Sequence, residues 1–595
     1  MKIRLFIKSI KYSYHILYRS GGGLVYVYLL FNLLCAMSPL LLAYILKNIL
    51  DSLTATSLPM KTIILLIALY IGCIIISHFL SSLKNICYQS IYSKACHTYN
   101  CEMLDKLSRM PMAVLDSSEG RNMIDEIGYI NEVAVSLIFK IFDIISLVCT
   151  FTVSFVALLV FNVWFSLLFI ILTLPGIIID WVLGRKVIEL RERTAPDVRK
   201  LRYYRWMLVD AWPAKDIRLY DLTDHIRKRY DEEKYEYQKA NKKLDKKALG
   251  GELFSEIIKR SGEMAFIVYV ICCAVSGSIT IGDVALFIGF ALAISTSFES
   301  ILRTVVIEYG DNTKLFKKVF AFYSIEESKT KSFRTLSAFE SLTFDNVYFK
   351  YPSTEKYILS GASFTLNEGD KLSIVGINGS GKSTIIKLML GLYEIESGQI
   401  LINGYPMSDY DIKDVRKLFS ALFQNFVQYP LTLRENIALS SIERIDNSDE
   451  IEDVLRQSGV YEDLQLKLEN GLDSFMTRKF DDKGTELSKG QWQKIALSRV
   501  YFKNAPIIIC DEPSAALDAE AEDRIFKNFE SISNDKTGIM ISHRISSARM
   551  SNKIIVLDSG KITEQGTHDE LISLNGLYAK LYNLQREKYI VKEGD

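Results

Sequence analysis

Six long apolar stretches in the first half of the chain limit what it can fold into. The first, residues 24–46, is long enough to cross ~30 Å of hydrocarbon as a helix and lacks the small-residue cleavage pattern of a signal peptide. Lipid offers the backbone no hydrogen-bond partners, so such stretches must be helical. The sequence therefore predicts a membrane domain with six spanning helices. The predicted spans are residues 24–46, 62–83, 138–161, 163–183, 264–279 and 284–303.

The connections between these stretches alternate in length and charge. Residues 84–137 and 185–263 are long and rich in Lys and Arg, whereas the other connections are short and carry little positive charge. By the positive-inside rule, the two long segments and both termini lie in the cytosol. A segment as long as 84–137 can run out and back as helices of about 40 Å, far enough to reach a soluble domain. We place the two tips at residues 116–121 and 212–220.

The N-terminal segment, residues 1–23, carries apolar side chains at helical spacing with basic residues between them. This pattern predicts a helix that lies in the cytosolic membrane interface. The apolar face predicted for this helix consists of Ile3, Ile7, Ile10, Tyr14 and Leu17.

The overall charge argues against one class of partner. The chain has 71 basic and 70 acidic residues and a formal net charge of +1, so we expect no nucleic-acid partner. Its nine cysteines lack the spacing of a zinc site or a disulfide framework. Most of them lie in apolar runs, and we interpret them as isolated thiols in a reducing environment.

A glycine-rich segment in the second half predicts a phosphate-binding loop. A short apolar strand, residues 372–375, leads into Gly376-x-x-x-x-Gly381-Lys382-Ser383, and an apolar-periodic helix follows. This strand–loop–helix context is the one that the P-loop motif requires. Backbone amides and the lysine hold the phosphates of ATP, and the Ser383 hydroxyl is a ligand for Mg²⁺. The predicted ATP-binding residues here are Gly376, Ile377, Asn378, Gly379, Ser380, Gly381, Lys382, Ser383 and Thr384.

From residue 340 onward the chain resembles the nucleotide-binding domain of ABC transporters. The motifs that carry the resemblance are Phe349-Lys-Tyr-Pro352, Gln424, Leu487-Ser-Lys-Gly-Gln491, Ile507-Ile-Ile-Cys-Asp-Glu512, Ser514-Ala-Ala-Leu-Asp518 and Ser542-His543. They occur in the family's order and spacing. The six predicted spans upstream fit the exporter subclass of that family.

The resemblance implies a role for each matched residue. Tyr351 stacks on adenine, and Glu512 polarises the attacking water while His543 contacts the terminal phosphate. Gln424 senses the magnesium and the water, so the implied metal set is Ser383, Gln424 and Asp511, with ATP and Mg²⁺ as cofactors. The signature residues and the crossing loop cap the ATP of a partner subunit, which implies a dimer of half-transporters. These capping residues are Ser488, Gly490, Gln491 and Asp518.

One signature position departs from the family pattern. Lys489 replaces the second glycine of L-S-G-G-Q. We interpret this as a tolerated change, because Ser488 and Gly490 keep the hydroxyl and the close backbone approach to phosphate. The alternative is a weakened site in an unequal heterodimer.

The expected fold is an α-helical transmembrane domain with long cytosolic extensions, followed by an α/β P-loop ATPase domain. The expected divisions are 1–23 for the interfacial helix, 24–324 for the six-span domain, 325–339 for a linker, 340–585 for the nucleotide-binding domain and 586–595 for a charged tail. We expect a multi-pass protein of the bacterial cytoplasmic membrane with its ATPase domain in the cytosol.

Within the family, the motor domain looks like that of lanthipeptide exporters of the nisin-transporter kind. The similar segments are residues 423–429, 431–437, 490–499 and 511–518. The resemblance implies export of a modified peptide. A multidrug or lipid exporter remains an alternative. The six predicted spans argue against a third possibility, a soluble ABC ATPase that acts on nucleic acid. The candidate cavity residues, for which interhelical bonding is the alternative role, are Asn32, His78, Asp143 and Asp180.

Overall fold

The computed structural model describes the chain in eleven segments. They are residues 2–54, 60–128, 131–161, 163–307, 313–327, 334–336, 338–352, 354–465, 467–511, 536–541 and 545–590. The chain forms two compact units, one of residues 1–108 with 122–325 and the other of residues 109–121 with 326–595. The 109–121 segment thus belongs with the C-terminal unit. The five predicted divisions themselves stay predictions.

The first unit is helical throughout its described residues. Its helices are α1 (Lys2–Gly21), α2 (Leu24–Thr54), α3 (Met60–Ser108), most of α5 (Ser118–Gly128), α6 (Asn131–Phe161), α7 (Val163–Val209), α8 (Ala211–Leu219), α9 (Thr223–Val275), α10 (Ile281–Ile307) and α11 (Thr313–Ser324). Among the described residues, four helical stretches are long and apolar enough to cross a membrane. These are Leu24–Thr54, Met60–Ser108, Glu132–Val160 and Ile281–Val305.

The fourth and fifth predicted spans fall on α7 and α9, where the apolar residues form only part of a longer helix. In α7 the apolar stretch is Thr173–Leu183. Helix α9 ends at Val275, earlier than the predicted limit at residue 279, and Gly277 has a positive φ of 75°. The next helix begins where Thr280 and Asp283 cap each other, since each backbone amide donates to the other's side chain at 3.0–3.1 Å.

The helices of the first unit pack through apolar side chains contributed by α2, α6, α7, α9 and α10. Large apolar side chains on the opposite faces stay exposed, as expected for helices that meet lipid. Helix α1 contacts α3, α6 and α11. It buries Ser9, Ser13, Ile16 and Leu17, whereas Ile7 is exposed, so of the predicted apolar face Leu17 packs against protein and Ile7 does not.

The second unit contains two sheets. The strands are β1 (Ser341–Phe349), β2 (Leu359–Asn367), β3 (Lys371–Gly376), β4 (Ser397–Ile402), β5 (Tyr405–Pro406), β6 (Phe419–Leu422), β7 (Ile507–Asp511), β8 (Thr537–Ile541), β9 (Lys553–Asp558) and β10 (Lys561–Gly566). The smaller sheet has the order β2-β1-β4-β5 and is antiparallel. The larger has the order β10-β9-β3-β8-β7-β6. Its strands are parallel except β10, so the loops after β3, β6, β7 and β8 leave the sheet at one edge.

Helices of the second unit cover these sheets. They are α4 (Met112–Asp116), α12 (Lys382–Met389), α13 (Ile412–Lys417), α14 (Leu433–Ala438), α15 (Ser448–Gln457), α16 (Tyr461–Gln465), α17 (Lys489–Lys503), α18 (His568–Ser573) and α19 (Leu577–Ile590). One apolar core joins both sheets to α12 and α13, with Met112 and Ala113 of α4 packed against it. A second core joins α14 to α17 with β6 and β7.

Candidate functional site

The predicted phosphate-binding loop joins the central strand β3 to α12. Strand β3 is buried between β8 and β9, which fixes the point where the loop leaves the sheet. Gly379 and Gly381 have φ values of 79° and 110°, a region that side chains disfavour. A Cβ at Gly376 would lie 2.2 Å from the Leu557 carbonyl oxygen. The glycines are therefore required for this tight loop, which ends at a helix N-terminus suited to an anion.

Lys382 is the first residue of α12, and its ammonium group lies across the loop. Its Nζ donates to the carbonyl oxygens of Gly376 at 2.9 Å and Ile377 at 3.1 Å. The residue is 5% exposed, and Ile377, Asn378 and Gly379 beside it are exposed. The loop thus holds a buried cation under an accessible row of backbone amides, which is the chemistry that polyphosphate requires.

Two of the three candidate metal ligands are in direct contact. The Ser383 hydroxyl donates to Asp511 Oδ1 at 3.3 Å, and Asp511 is 5% exposed at the end of β7. Strand β6 pairs with β7, with Leu422 opposite Cys510, so the exposed Gln424 follows the same sheet edge. The described residues contain no group of three His, Cys, Asp or Glu side chains that could hold a metal on its own. A hydroxyl, an amide and one carboxylate suit Mg²⁺, which takes its other ligands from water and phosphate.

Tyr351 lies beside α12, where its hydroxyl is 3.2 Å from Thr384 Oγ1 and accepts from Lys387 Nζ at 3.3 Å. Its ring meets Phe349 and Tyr393 edge-on, with centroids 5.0 and 5.3 Å away. These contacts fix the aromatic ring next to the helix that begins with Lys382.

The signature residues begin α17. Ser488 caps the helix: its Oγ accepts from the Gln491 amide at 3.2 Å, and its own amide donates to Gln491 Oε1 at 3.1 Å. Lys489 is exposed in the first turn, and Gly490 follows it. The Ser488 hydroxyl therefore lies at the N-terminus of α17, where Ser488 and Lys489 are exposed.

Three predicted site residues, Glu512, Asp518 and His543, lie outside the described residues. Asp511 immediately precedes Glu512, and Ile541 lies two positions before His543. Asp511 and Ile541 are register partners at the ends of β7 and β8.

The candidate cavity residues have different surroundings in the first unit. Asn32 Nδ2 donates to Asp143 Oδ1 at 3.0 Å, and Asp180 Oδ2 accepts from Lys259 Nζ at 2.9 Å. Both bonds join separate helices, which is the alternative role expected for these residues. His78 is exposed on α3.

Sequence reasoning missed two connections within the second unit. Tyr393 hydrogen-bonds Asp116 of the 109–121 segment, and Arg499 binds Asn436 and the loop after Gln424. In both cases the partners are far apart in the sequence, so no local pattern could have indicated the pair.

Both halves of the chain match models of known protein families. Residues 25–298 match the ABC transporter transmembrane region, and residues 359–515 match the ABC transporter ATPase family. The chain is an ABC transporter. Both family matches lie in the expected order, and together they cover most of the chain.

Several curated relatives align with this transporter over nearly its whole length. The subtilin transport ATP-binding protein of Bacillus subtilis is 29% identical over 98% of this chain and 95% of its own length. The nisin transport ATP-binding protein of Lactococcus lactis is 27% identical over 93% of this chain and 92% of its own. The ATP-dependent lipid A-core flippase of Haemophilus ducreyi is 26% identical over 97% of this chain and 98% of its own.

A solved structure has the same fold. A bacterial Atm1-family ABC exporter with ATP bound superposes with a TM-score of 0.80 and 22% identity, covering 95% of this chain and 99% of that one. The transporter is thus a membrane-spanning exporter with a cytosolic ATPase domain that binds ATP and couples its hydrolysis to transport. It has the half-transporter architecture of a family that typically dimerises.

Proposed function

We propose that this ABC transporter exports a ribosomally made, modified peptide of the lanthipeptide type, and that it does so by alternating access as a homodimer. The observation that carries the proposal is the alignment with the subtilin and nisin transport proteins over 98% and 93% of the chain. That alignment includes the membrane region, through which cargo must pass, as well as the motor.

Lipid export is the competing function, because lipid A-core flippases also align over most of the chain. Their identities of 26% and 27% are close to those of the peptide transporters. The subtilin transport protein, at 29% identity, is ahead by a small margin. The chemistry of the membrane unit is therefore weighed as a second observation.

A charged cluster lies where three predicted spans join their cytosolic ends, and it favours a cationic or neutral cargo over a phosphorylated one. Lys259 is almost fully buried, and its Nζ lies 2.9 Å from Asp180, 3.0 Å from Glu256 and 3.2 Å from Glu299. The adjacent Arg260 pairs with Glu256 at 2.8 Å and Glu263 at 2.7 Å. Among the described side chains, four carboxylates thus surround two cations.

This surplus of negative charge would repel a phosphate headgroup, since like charges in a partly desolvated site raise the free energy of binding. A peptide, in contrast, presents amines and apolar side chains and carries no phosphate headgroup. The charge balance supports peptide over lipid cargo.

We propose the following division of labour in the ATP site. The loop from Gly376 to Thr384 holds the phosphates, with Lys382 as the main cation, and Tyr351 stacks on adenine. Glu512 polarises the attacking water, and His543 contacts the terminal phosphate. Ser488, Gly490, Gln491 and Asp518 reach the ATP of the partner subunit, so neither subunit completes a site alone.

Mg²⁺ belongs to this proposal as the ion that neutralises charge on the phosphates when it is bound. Ser383 and Asp511, already in contact, would hold it together with Gln424. The second subunit is proposed to be an identical chain, since Lys382, Gln424, Glu512 and His543 are all present in the sequence.

The test of the cargo is ATPase stimulation in proteoliposomes. The purified transporter is assayed with a leader-bearing lanthipeptide precursor, with lipid A, and with cationic dyes. We expect stimulation by the precursor alone, and none in a Lys382→Ala control. Stimulation by dyes or lipid A without a response to the peptide would overturn the peptide proposal in favour of a multidrug or lipid exporter.

A further inference from the structure

Arg499 is a mostly buried cation on α17 whose hydrogen-bond partners are neutral groups of the same unit. Its Nε donates to the Asn436 carbonyl at 2.8 Å, Nη1 to the Val427 carbonyl at 2.9 Å, and Nη2 to Asn436 Oδ1 at 2.7 Å. The guanidinium also lies over the Tyr429 ring, 5.1 Å from its centroid. Within the described part of the chain it forms no ion pair with a carboxylate. Its hydrogen bonds therefore hold the backbone of neighbouring residues in place and do not neutralise a negative charge.

Asn436 extends this network along the loop that follows Gln424. It is fully buried, and its Nδ2 donates to the carbonyls of Tyr429 at 3.1 Å, Leu431 at 3.2 Å and Thr432 at 2.9 Å. Together, Arg499 and Asn436 bind most of the carbonyls between residues 427 and 432. The path of the loop from Gln424 to α14 is therefore set by two side chains.

The same helix that carries Arg499 begins at the signature serine. Ser488 caps α17, and Arg499 lies about three turns further along, close to the same face. Trp492, Ile495 and Phe502 bury the helix in the second core, so it moves as a rigid rod. The signature and the Gln424 loop are thus joined through one helix and one guanidinium.

A guanidinium is suited to this task because its donors form a fixed planar fork, and a lysine ammonium cannot satisfy three separated oxygens in the same way. Burial lowers the pKa of Arg499 to about 10, so the group still carries its charge at neutral pH. The bonds that it makes are consequently the stronger, charge-assisted kind.

We propose that Arg499 is a positioning residue for ATP hydrolysis, which fixes the Gln424 loop to the signature helix so that both ATP-contacting motifs are displaced as one body. The inference rests on the proposed roles of Gln424 and Ser488. It assigns a function to a side chain that touches neither ATP nor metal.

The test uses Arg499→Lys, which keeps the charge and loses the fork, together with Gln424→Ala and the double variant. We expect R499K to lower kcat for ATP about tenfold or more, as misplacement of a catalytic group does. Its KM for ATP should stay within about threefold of the parent value, because the P-loop is untouched. The control is Arg456→Gln, which removes an exposed guanidinium from α15 in the same part of the domain.

The double variant decides whether Arg499 acts through Gln424. If it does, adding R499K to Q424A lowers kcat no more than about threefold further, because the group being positioned is already gone. The proposal is overturned if the reductions in kcat caused by R499K and Q424A multiply in the double variant. It is also overturned if R499K has the same kcat as R456Q, or if R499K fails to fold or to bind ATP. A normal kcat in Q424A alone would instead sink the proposed role of Gln424, an outcome read independently of Arg499.

Discussion

Tyr393 donates a hydrogen bond from its hydroxyl to the Asp116 carboxylate, across 277 positions of the sequence. Burial and this bond both raise the pKa of Tyr393, so the phenol stays protonated and keeps donating. Its ring meets Tyr351 edge-on at 5.3 Å, and Tyr351 in turn contacts Thr384. The segment that follows α3 is thus anchored next to the aromatic group beside the phosphate loop.

Removing the Tyr393 hydroxyl should weaken that anchor while the ring packing remains. A hydrogen bond to a charged group contributes about 1.5–3 kcal/mol. We expect Tyr393→Phe to reduce cargo-stimulated ATPase activity, with unstimulated activity within about twofold of the parent. Tyr357→Phe, which removes an exposed phenol, is the matched control.

A double-mutant cycle checks the partner of that hydroxyl. The losses of cargo-stimulated ATPase activity caused by Asp116→Ala and Tyr393→Phe should not be additive, since each substitution removes the same hydrogen bond. Additive losses of stimulation would show that the two residues act separately.

The contact between Ser383 and Asp511 predicts a magnesium effect. Ser383→Ala should raise the Mg²⁺ concentration for half-maximal ATPase activity about tenfold or more, because one ligand and the partner of Asp511 are lost. Binding of ATP measured without Mg²⁺ should persist. An unchanged Mg²⁺ dependence would exclude Ser383 from the metal site.

Lys489 should be dispensable. It is exposed in the first turn of α17, and the cap made by Ser488 and Gln491 does not involve its side chain. We expect Lys489→Gly to keep ATPase activity within about tenfold, or ~1.4 kcal/mol in the barrier. A larger loss in purified protein would mean that the lysine itself contacts phosphate.

The proposed base gives a trapping experiment. Glu512 immediately follows Asp511, the last residue of β7. Glu512→Gln should bind ATP and retain it without hydrolysis, leaving an ATP-bound dimer, because the amide cannot polarise water as a carboxylate does. Retention of radiolabelled ATP and phosphate release are measured on the same sample. Rapid phosphate release by this variant would assign the base to another residue.

The features that the sequence could predict depend on residues that are close together in the chain. The predicted spans fall on helices, apart from the last four residues of the fifth, because the apolarity of one segment favours a helix wherever its neighbours lie. The contact of Ser383 with Asp511 was implied by two motifs with fixed places on a P-loop sheet. Motif and periodicity work where the deciding contacts are close in the sequence.

The remaining features depend on tertiary packing. The side of α1 that is buried carries Ser9 and Ser13, while Ile7 points outward, since in a membrane protein apolar side chains are stable against lipid as well as protein. The carboxylates around Lys259 come from three helices, and the partners of Arg499 lie more than 60 positions away. No single-sequence pattern specifies which helices meet.

The loop from Gly376 to Thr384 is proposed to bind the ATP whose hydrolysis drives transport, and the turnover of a Lys382 variant tests this role most directly. The Lys382 ammonium group donates hydrogen bonds to two carbonyl oxygens of this loop. ATP hydrolysis by purified Lys382→Ala in proteoliposomes, beside the parent protein, should fall to background, because the phosphates lose their main cationic contact. Turnover near the parent rate in the folded variant would contradict the assignment of this site.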